Sequence, residues 1–465
     1  MRYSDIQFSK FQIVKFAGCE RLENYIENEK RVEDFLKLLP RFVDAKTGII
    51  RKFGMAAHYN DEPKFFRCFA EISSTKFFSD VENNEKIVGG TSADINRALA
   101  KAFGEAIERY CLSVHRKNKM IFSDFRSLHD EAVNPEDFAR PSEKQIKDNS
   151  MEFLKLSPSD KFYWVSGFDL KTKKKVLVPA QLVYVPYYYD KEKMIRETIT
   201  TGAASGTSLA AALRRGILEI VERDAFMITY LNSLDVPKIK YVGKDNLILK
   251  MFEQFERYFL KIILFDITLD IKLPAVLALL IDESEKGPSV SLGLKSSLNY
   301  TESIIGAMEE AQQTRPWIRE LFLERSEELK KVNKDGSNLM SLEQRGIFWY
   351  EKEMISHLDF LLKSRREKII DDETVNFTTD FDKLNEVVKR LNDLDVFYAD
   401  VTTPEIKEEG VYVVKVIMPE LQPLHIAEML KCLGGKRIYS VPCALAYRKT
   451  ALKEEEFVTI PHPFL

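Results

Sequence analysis

The sequence predicts a mixed α/β fold (α+β in the arrangement of its parts), one large domain with helices packed on mixed sheets. Three observations carry this. Amphipathic helical stretches alternate with short apolar runs along the chain. The run "LKIILFDITLDIKLPAVLALLIDESEKGPSVSLGLK" reads as three strands joined by polar turns, which implies antiparallel pairs. No Pro/Ser/Gly-rich linker divides the 465 residues into independent units.

Taken in order, "ENEKRVEDFLKLLPRF" reads as helical and "FFRCFAEI" as a strand. "IVGGTSADINRALAKAFGEAIERYCLSVH" places a glycine pair before a long amphipathic helix that Ser92 or Asp94 is able to cap. "KFYWVSGFDL" and "KVLVPAQLVYVP" read as extended, and "TTGAASGTS" opens a second long helix. A third helix, "TESIIGAMEEAQQT", is predicted to stop near Pro316, because proline lacks the N–H that the next turn needs. Residues 317 to 372 read as helix-rich and charged, and "DVFYADVTT" and "VYVVKVIMP" as late strands.

Composition narrows the function. With 45% apolar and 30% charged residues and 31 Phe, every region is able to build a core. The 69 basic and 72 acidic residues give a formal charge of −3, so global charge offers no case for binding nucleic acid or an anionic membrane. No window reaches roughly 18 uncharged apolar residues and no secretory signal opens the chain, so a cytoplasmic protein without a membrane span is expected. The five cysteines are scattered with no CxxC pair, and the six histidines form no HExxH or HxH set. Any bound metal is therefore expected on carboxylates.

Two helices repeat one constellation. In the first, Leu99, Ala102, Phe103, Ala106, Ile107 and Tyr110 form an apolar stripe, and Lys101, Glu105, Glu108 and Arg109 share another face. In the second, Ala212, Leu213, Gly216, Ile217 and Ile220 form the stripe, and Arg215, Glu219, Glu222 and Arg223 form the polar set. All four polar positions are displaced by 114 residues. Either helix alone reads as a solvated face with i,i+4 ion pairs of a few tenths of a kcal/mol. Two copies favour a different account: facing Glu–x–x–Glu pairs supply oxygen ligands for a hard cation, with arginines turned to phosphate. No GxxxxGK[ST] loop is present. The glycines of "TGAASG" suit either a turn or a close backbone approach to a ligand.

The motifs "GEAIER" (104–109), "TGAASGTSLAAALRRGILEIVERDA" (201–225), "EEAQQTR" (309–315) and the terminal "PHPFL" (461–465) resemble the YcaO family, in the right order and over roughly residues 85 to 465. The resemblance implies a YcaO-like catalytic domain over 85–465 that holds ATP between its helices, with 1–84 as an N-terminal segment integrated with the core. It implies Mg²⁺ on Glu105, Glu108, Glu219 and Glu222, and ATP near Lys101, Arg109, Thr207, Arg223, Glu310, Gln313 and Arg315. Where the family often carries Ser, Asn and Glu, this chain has Lys101, Thr207 and Ala211.

Within the family the late features resemble the azoline-forming cyclodehydratases, the branch of docking scaffolds and streptolysin-type D proteins. These use ATP to activate a backbone amide and turn Cys, Ser or Thr of a ribosomally made precursor peptide into heterocycles, as in bacteriocin biosynthesis. In that branch the C-terminus reaches the active site, which nominates Pro461, His462, Pro463 and the carboxylate of Leu465 for catalysis. Deleting "PHPFL" is accordingly expected to slow the reaction more than it disturbs folding.

The resemblance further implies a separate E1-like or ThiF-like partner that binds the leader of the precursor peptide. A flavin dehydrogenase in the same complex and a homodimer are also implied. Two alternatives stay open: a YcaO enzyme that makes a thioamide from external sulfide, and a scaffold that catalyses nothing.

Overall fold

The computed structural model describes residues 29–82, 86–329, 331–373 and 377–465, so the first 28 residues, including Cys19, lie outside the described part. Strands β1 (Ile50–Met55), β2 (Phe66–Ile72) and β3 (Ile87–Ser92) form an antiparallel sheet. It spans both sides of residue 84, so the N-terminal segment shares a sheet with the body of the chain. Next come β4 (Ile121–Asp124), β5 (Lys161–Asp169), β6 (Lys175–Pro179) and β7 (Ala203–Gly206). They are followed by β8 (Lys238–Tyr241), β9 (Leu260–Asp266), β10 (Ala275–Asp282), β11 (Val290–Ser296) and β12 (Glu367–Ile370), and then by β13 (Phe397–Asp400) and β14 (Tyr412–Ile417).

The last two strands return to the earlier set, giving the order β4-β5-β13-β14-β7 with β6 also on β5. The five strands between them form their own sheet, β11-β10-β9-β8-β12, mixed because β12 runs parallel to β8. The three antiparallel strands read from the 260–296 sequence are β9, β10 and β11.

Three long helices knit these sheets together. Ile95–Ser113 lies on β2 and β3 and reaches β7, and its N-cap is Asp94, whose carboxylate accepts from the N–H of Arg97. Gly90 permits the approach: a Cβ there would come within 2.5 Å of the Ala102 backbone nitrogen. Leu209–Leu231, capped by Ser208, lies between the two larger sheets and touches β7, β14 and β11. It is buried almost all round, with Ala211, Leu218 and Val221 enclosed as well as the predicted stripe, which is the mark of an internal helix.

Two expectations fail for physical reasons. "TTGAASG" does not lead directly into the helix but makes strand β7, entered through Gly202 at φ +88°. The third helix runs from Tyr300 to Leu329, straight through Pro316. Apolar residues are buried on both sides of the proline, Ile304, Met308 and Ala311 before it and Ile318 and Leu321 after it. That burial outweighs the one backbone hydrogen bond proline removes.

Candidate functional site

The internal position of the 209–231 helix decides how its charges are read. A solvated face would be exposed, whereas Glu222 is 2% and Arg223 8% exposed. Both sit inside the protein, where ionised groups need partners. Arg223 answers three carboxylates at once: Glu222 at 3.4 Å, Glu310 of the 300–329 helix at 3.6 Å and Glu219 at 3.7 Å. Glu222 also accepts from the N–H of Ser296 (2.8 Å) and Glu310 from that of Leu294 (2.6 Å), so β11 fixes both.

The first helix brings its acids to the same place across β7. Glu108 accepts from the N–H of Ser205 (2.7 Å), and Glu219 from that of Gly202 (3.0 Å). One short strand thus positions a carboxylate from each helix. Glu105 pairs with Arg109 at 2.7 Å, and Arg215 donates to the Ser205 carbonyl at 2.8 Å.

The acids outnumber the cations that answer them. Burial pushes the Glu108 carboxyl well above the usual carboxylate range, and the charges of Glu105 and Glu219 push it further. Burial raises Glu219 as well, with Arg223 opposing and Glu222 adding to the rise. Glu310 is raised by burial against the pull of Arg223. Like charges held together in a poorly hydrated place favour protons or a bound cation.

A small cleft opens beside Arg223, with Arg196, Ile220, Thr201 and Lys415 among its walls. Lys415, 3% exposed, donates to the carbonyls of Ile199 (2.6 Å) and Thr201 (2.7 Å). Burial pulls its pKa below the usual lysine range. On another side of Arg223, the ring of Phe464 lies 4.0 Å from the guanidinium carbon.

A family model described as YcaO cyclodehydratase, ATP- and Mg²⁺-binding, matches residues 89–422. The chain belongs to the YcaO family. An uncharacterized protein of Methanothermobacter thermautotrophicus is 26% identical over 72% of this chain and 82% of its own length. An uncharacterized protein in the tfuA 3' region of Rhizobium leguminosarum bv. trifolii is 32% identical over 25% of this chain and 29% of its own.

Among solved structures, a heterocyclase in complex with substrate and cofactor superposes with a TM-score of 0.71 over 95% of this chain, at 19% identity. This chain spans 60% of that heterocyclase's length. YcaO from Methanopyrus kandleri, bound with AMPPCP and Mg²⁺, gives 0.59 over 85% of this chain and 91% of its own, at 18% identity. The E. coli microcin synthetase McbBCD complex gives 0.56 over 79% and 88%, at 16% identity.

ATP and Mg²⁺ are thus the ligands of the YcaO family, and the residues present fit them. Among the described residues no three acidic, His or Cys side chains form a metal cage by themselves. That suits Mg²⁺, which takes one or two carboxylates and completes its shell with water and phosphate oxygens. The raised carboxyls of Glu108 and Glu219 are ones that a divalent cation would hold ionised.

Of the predicted YcaO site residues, the structure brings together Glu105, Glu108, Glu219, Glu222, Arg223 and Glu310, with Arg109 bound to Glu105 and Gln313 one turn beyond Glu310. It places three elsewhere. The Lys101 ammonium is paired with Glu309 at 2.6 Å and with the Thr91 carbonyl. The Thr207 hydroxyl accepts the N–H of Lys30 at 2.7 Å. Arg315 is 2% exposed and committed to Asp282 (2.6 Å), Glu62 (2.9 Å) and the Pro288 carbonyl. It joins the N-terminal segment to the five-stranded sheet.

The doubled acids and amides of "EEAQQTR" explain the difference. Positions 310 and 313 form one helical register, in which Glu310 turns to Arg223. Positions 309, 312 and 315 form another, which turns to Lys101, Glu62 and Asp282. Sequence spacing offers both. Glu309, Lys415, Arg196 and Phe464 escape sequence reasoning, because a single charge or ring without a repeat gives no signal.

The terminal segment is no frayed tail. Pro461, His462 and Pro463 are buried and Leu465 half-buried. His462 is 1% exposed, and burial holds its imidazole far below the usual histidine pKa. Its Nε2 lies 3.0 Å from the His425 carbonyl, so it serves as a neutral donor.

Among the described residues no helix is long and apolar enough to cross a membrane.

Proposed function

We propose that this YcaO protein is an ATP- and Mg²⁺-dependent cyclodehydratase, converting Cys, Ser or Thr of a ribosomally made precursor peptide into azolines. The observation that carries the reading is the meeting of three things at Arg223: the under-neutralised carboxylates of two helices, a cleft, and the chain's own C-terminal segment. When bound, ATP and Mg²⁺ supply a phosphoryl group that makes an amide oxygen a good leaving group.

The chain's residues do the rest. Glu105, Glu108, Glu219 and Glu222 would hold Mg²⁺, one or two of them directly and the others through its bound waters. Arg223, with Glu310, Gln313 and Arg109 around it, orients phosphate, since guanidinium donors in a fixed fork match its oxygens. The small cleft beside Arg223 lies next to the phosphate-orienting group, and Lys415 fixes the carbonyls at its wall. The tail residues Pro461 to Leu465 close the site on the other side and exclude water.

The structural neighbours include a heterocyclase with its substrate and a synthetase complex. The first is in keeping with a bound substrate and the second with partner proteins; the substrate proposed is a peptide and the partner a leader-binding protein of the E1-like or ThiF-like kind. A flavin dehydrogenase that oxidises the azolines, a homodimeric state and a cytoplasmic setting complete the proposal.

Glu219→Gln tests it. With partner and precursor peptide, the parent chain removes one water per ring in the presence of ATP, read by peptide mass. The variant is expected to lose this activity by on the order of 10²- to 10³-fold. Full activity sinks the metal assignment. A peptide that instead exchanges oxygen for sulfur when sulfide is supplied identifies a thioamide-forming enzyme, and absence of nucleotide binding with and without partner identifies a scaffold.

A further inference from the structure

The last six residues are held by their backbone. The Tyr230 hydroxyl donates to the carbonyls of Ile460 (3.2 Å) and Pro461 (3.1 Å). Trp349 Nε1 donates to Pro461 (2.9 Å), and Arg345 Nη1 to His462 (3.0 Å). Three consecutive carbonyls therefore meet buried side-chain donors, from the end of the 209–231 helix and from Leu342–Phe348 with its C-cap. Pro461 and Pro463 contribute by what they lack. With no N–H and a fixed φ, they keep the segment from coiling into a helix and leave its carbonyls to be bound.

The clamp is itself anchored. Arg345, fully buried, also donates to Glu428 Oε1 (3.0 Å) and to the Ile426 carbonyl (2.6 Å). Glu428 is shared with Lys431 at 2.6 Å and His425 at 3.1 Å. Such a rigid mount does more than store a chain end, because it fixes where Phe464 lies. Phe464 is 1% exposed and stacks on the Arg223 guanidinium. The three carboxylates around Arg223 stand at 3.4 to 3.7 Å, and among the described residues its Nε and Nη1 have no hydrogen-bond partner. Those ion pairs leave the plane of the guanidinium loosely fixed, whereas a ring against its face sets it.

We propose that Tyr230, Trp349 and Arg345 are positioning residues that hold the tail carbonyls so that Phe464 orients Arg223 toward the nucleotide; this rests on the reading of Arg223 as a phosphate-binding group. The clamp reads backbone and register. The distance from the clamp to Phe464 matters more than the side chains at 461 and 463.

The test uses the full chain with its partner and precursor peptide. Tyr230→Phe removes only the hydroxyl, Phe464→Leu only the ring, and Phe464→Tyr restores an aromatic face. Tyr230→Phe is expected to speed carboxypeptidase release of Leu465 and Phe464 several-fold. Tyr230→Phe and Phe464→Leu are expected to lower kcat about tenfold with KM for ATP changed less than about twofold, and Phe464→Tyr to return kcat.

Parent kcat in Phe464→Leu, or unchanged tail release in Tyr230→Phe, overturns the proposal. ATP hydrolysis is followed beside peptide mass. A parent chain that hydrolyses ATP but leaves peptides intact sinks the cyclodehydratase reading alone, while hydrolysis and tail release in the variants still decide the clamp.

Discussion

The carboxylates beside β7, which are partly exposed, and the buried carboxylate of Glu428 end in opposite states. Glu108 meets Glu105 and Glu219, and its carboxyl rises. Glu428 meets His425, Lys431 and Arg345, and its carboxyl falls well below the usual range although burial opposes it. One group of charges is left short of cations and the other is fully answered. On the function proposed above, the contrast separates a place that receives a ligand from a place that holds the chain together.

The largest effects come from removing one acid at each place. Glu108→Gln is expected to abolish ATP-dependent loss of water while leaving the melting temperature of the metal-free chain unchanged or higher, because a repelled charge is gone. Glu428→Gln strands Arg345 and Lys431 and is expected to cost about 3–5 kcal/mol of stability. Paired melting and activity measurements check both. If Glu108→Gln unfolds the chain and Glu428→Gln does not, the assignment of ligand site and scaffold is reversed.

The two places also respond oppositely to pH. For Glu108, Glu219 and Glu310 the folded pKa is raised, so stability falls as pH rises from the unfolded value of 4.5 through the folded one. A cation replaces those protons, so the rise in melting temperature caused by Mg²⁺ and ATP is expected to be greater at pH 8 than at pH 6. For His425, lowered to about 4 by burial, and for His462, the folded pKa lies below the unfolded 6.5. Their contribution is complete above 6.5 and is lost as pH falls toward 4, with Arg345 and Lys431 opposing protonation and Glu428 favouring it. Tail release by an acid-active carboxypeptidase is expected to quicken below pH 6.5. Equal Mg²⁺–ATP shifts at pH 6 and pH 8 would remove the electrostatic argument for a carboxylate metal site.

How much of the molecule is legible in its sequence depends on the kind of signal each part carries. The antiparallel strands of 260–296 are legible because turns bound long apolar runs, and the acidic helices because the chain repeats them. The 300–329 helix overruns its predicted end because burial beyond Pro316 is a tertiary fact. The terminal segment misleads in energy more than in place. Five residues at a chain end suggest a removable tail, yet Phe464 and His462 are among the buried residues of the core. Deleting the segment removes packing as well as chemistry, and point changes separate the two where truncation does not.

The smallest expected effect bears on Arg315, which resemblance places at the nucleotide and the structure joins to Glu62 and Asp282. Lysine at this position keeps the charge but lacks the fork that reaches both acids and the Pro288 carbonyl together. Arg315→Lys is therefore expected to lower stability by about 2 kcal/mol and to leave KM for ATP unchanged. The denaturation midpoint and the nucleotide dependence of turnover measure the two separately. A raised KM with unaltered stability would return Arg315 to the nucleotide site. It would also show that the 309/312/315 register of the third helix, as well as the 310/313 one, serves the ligand.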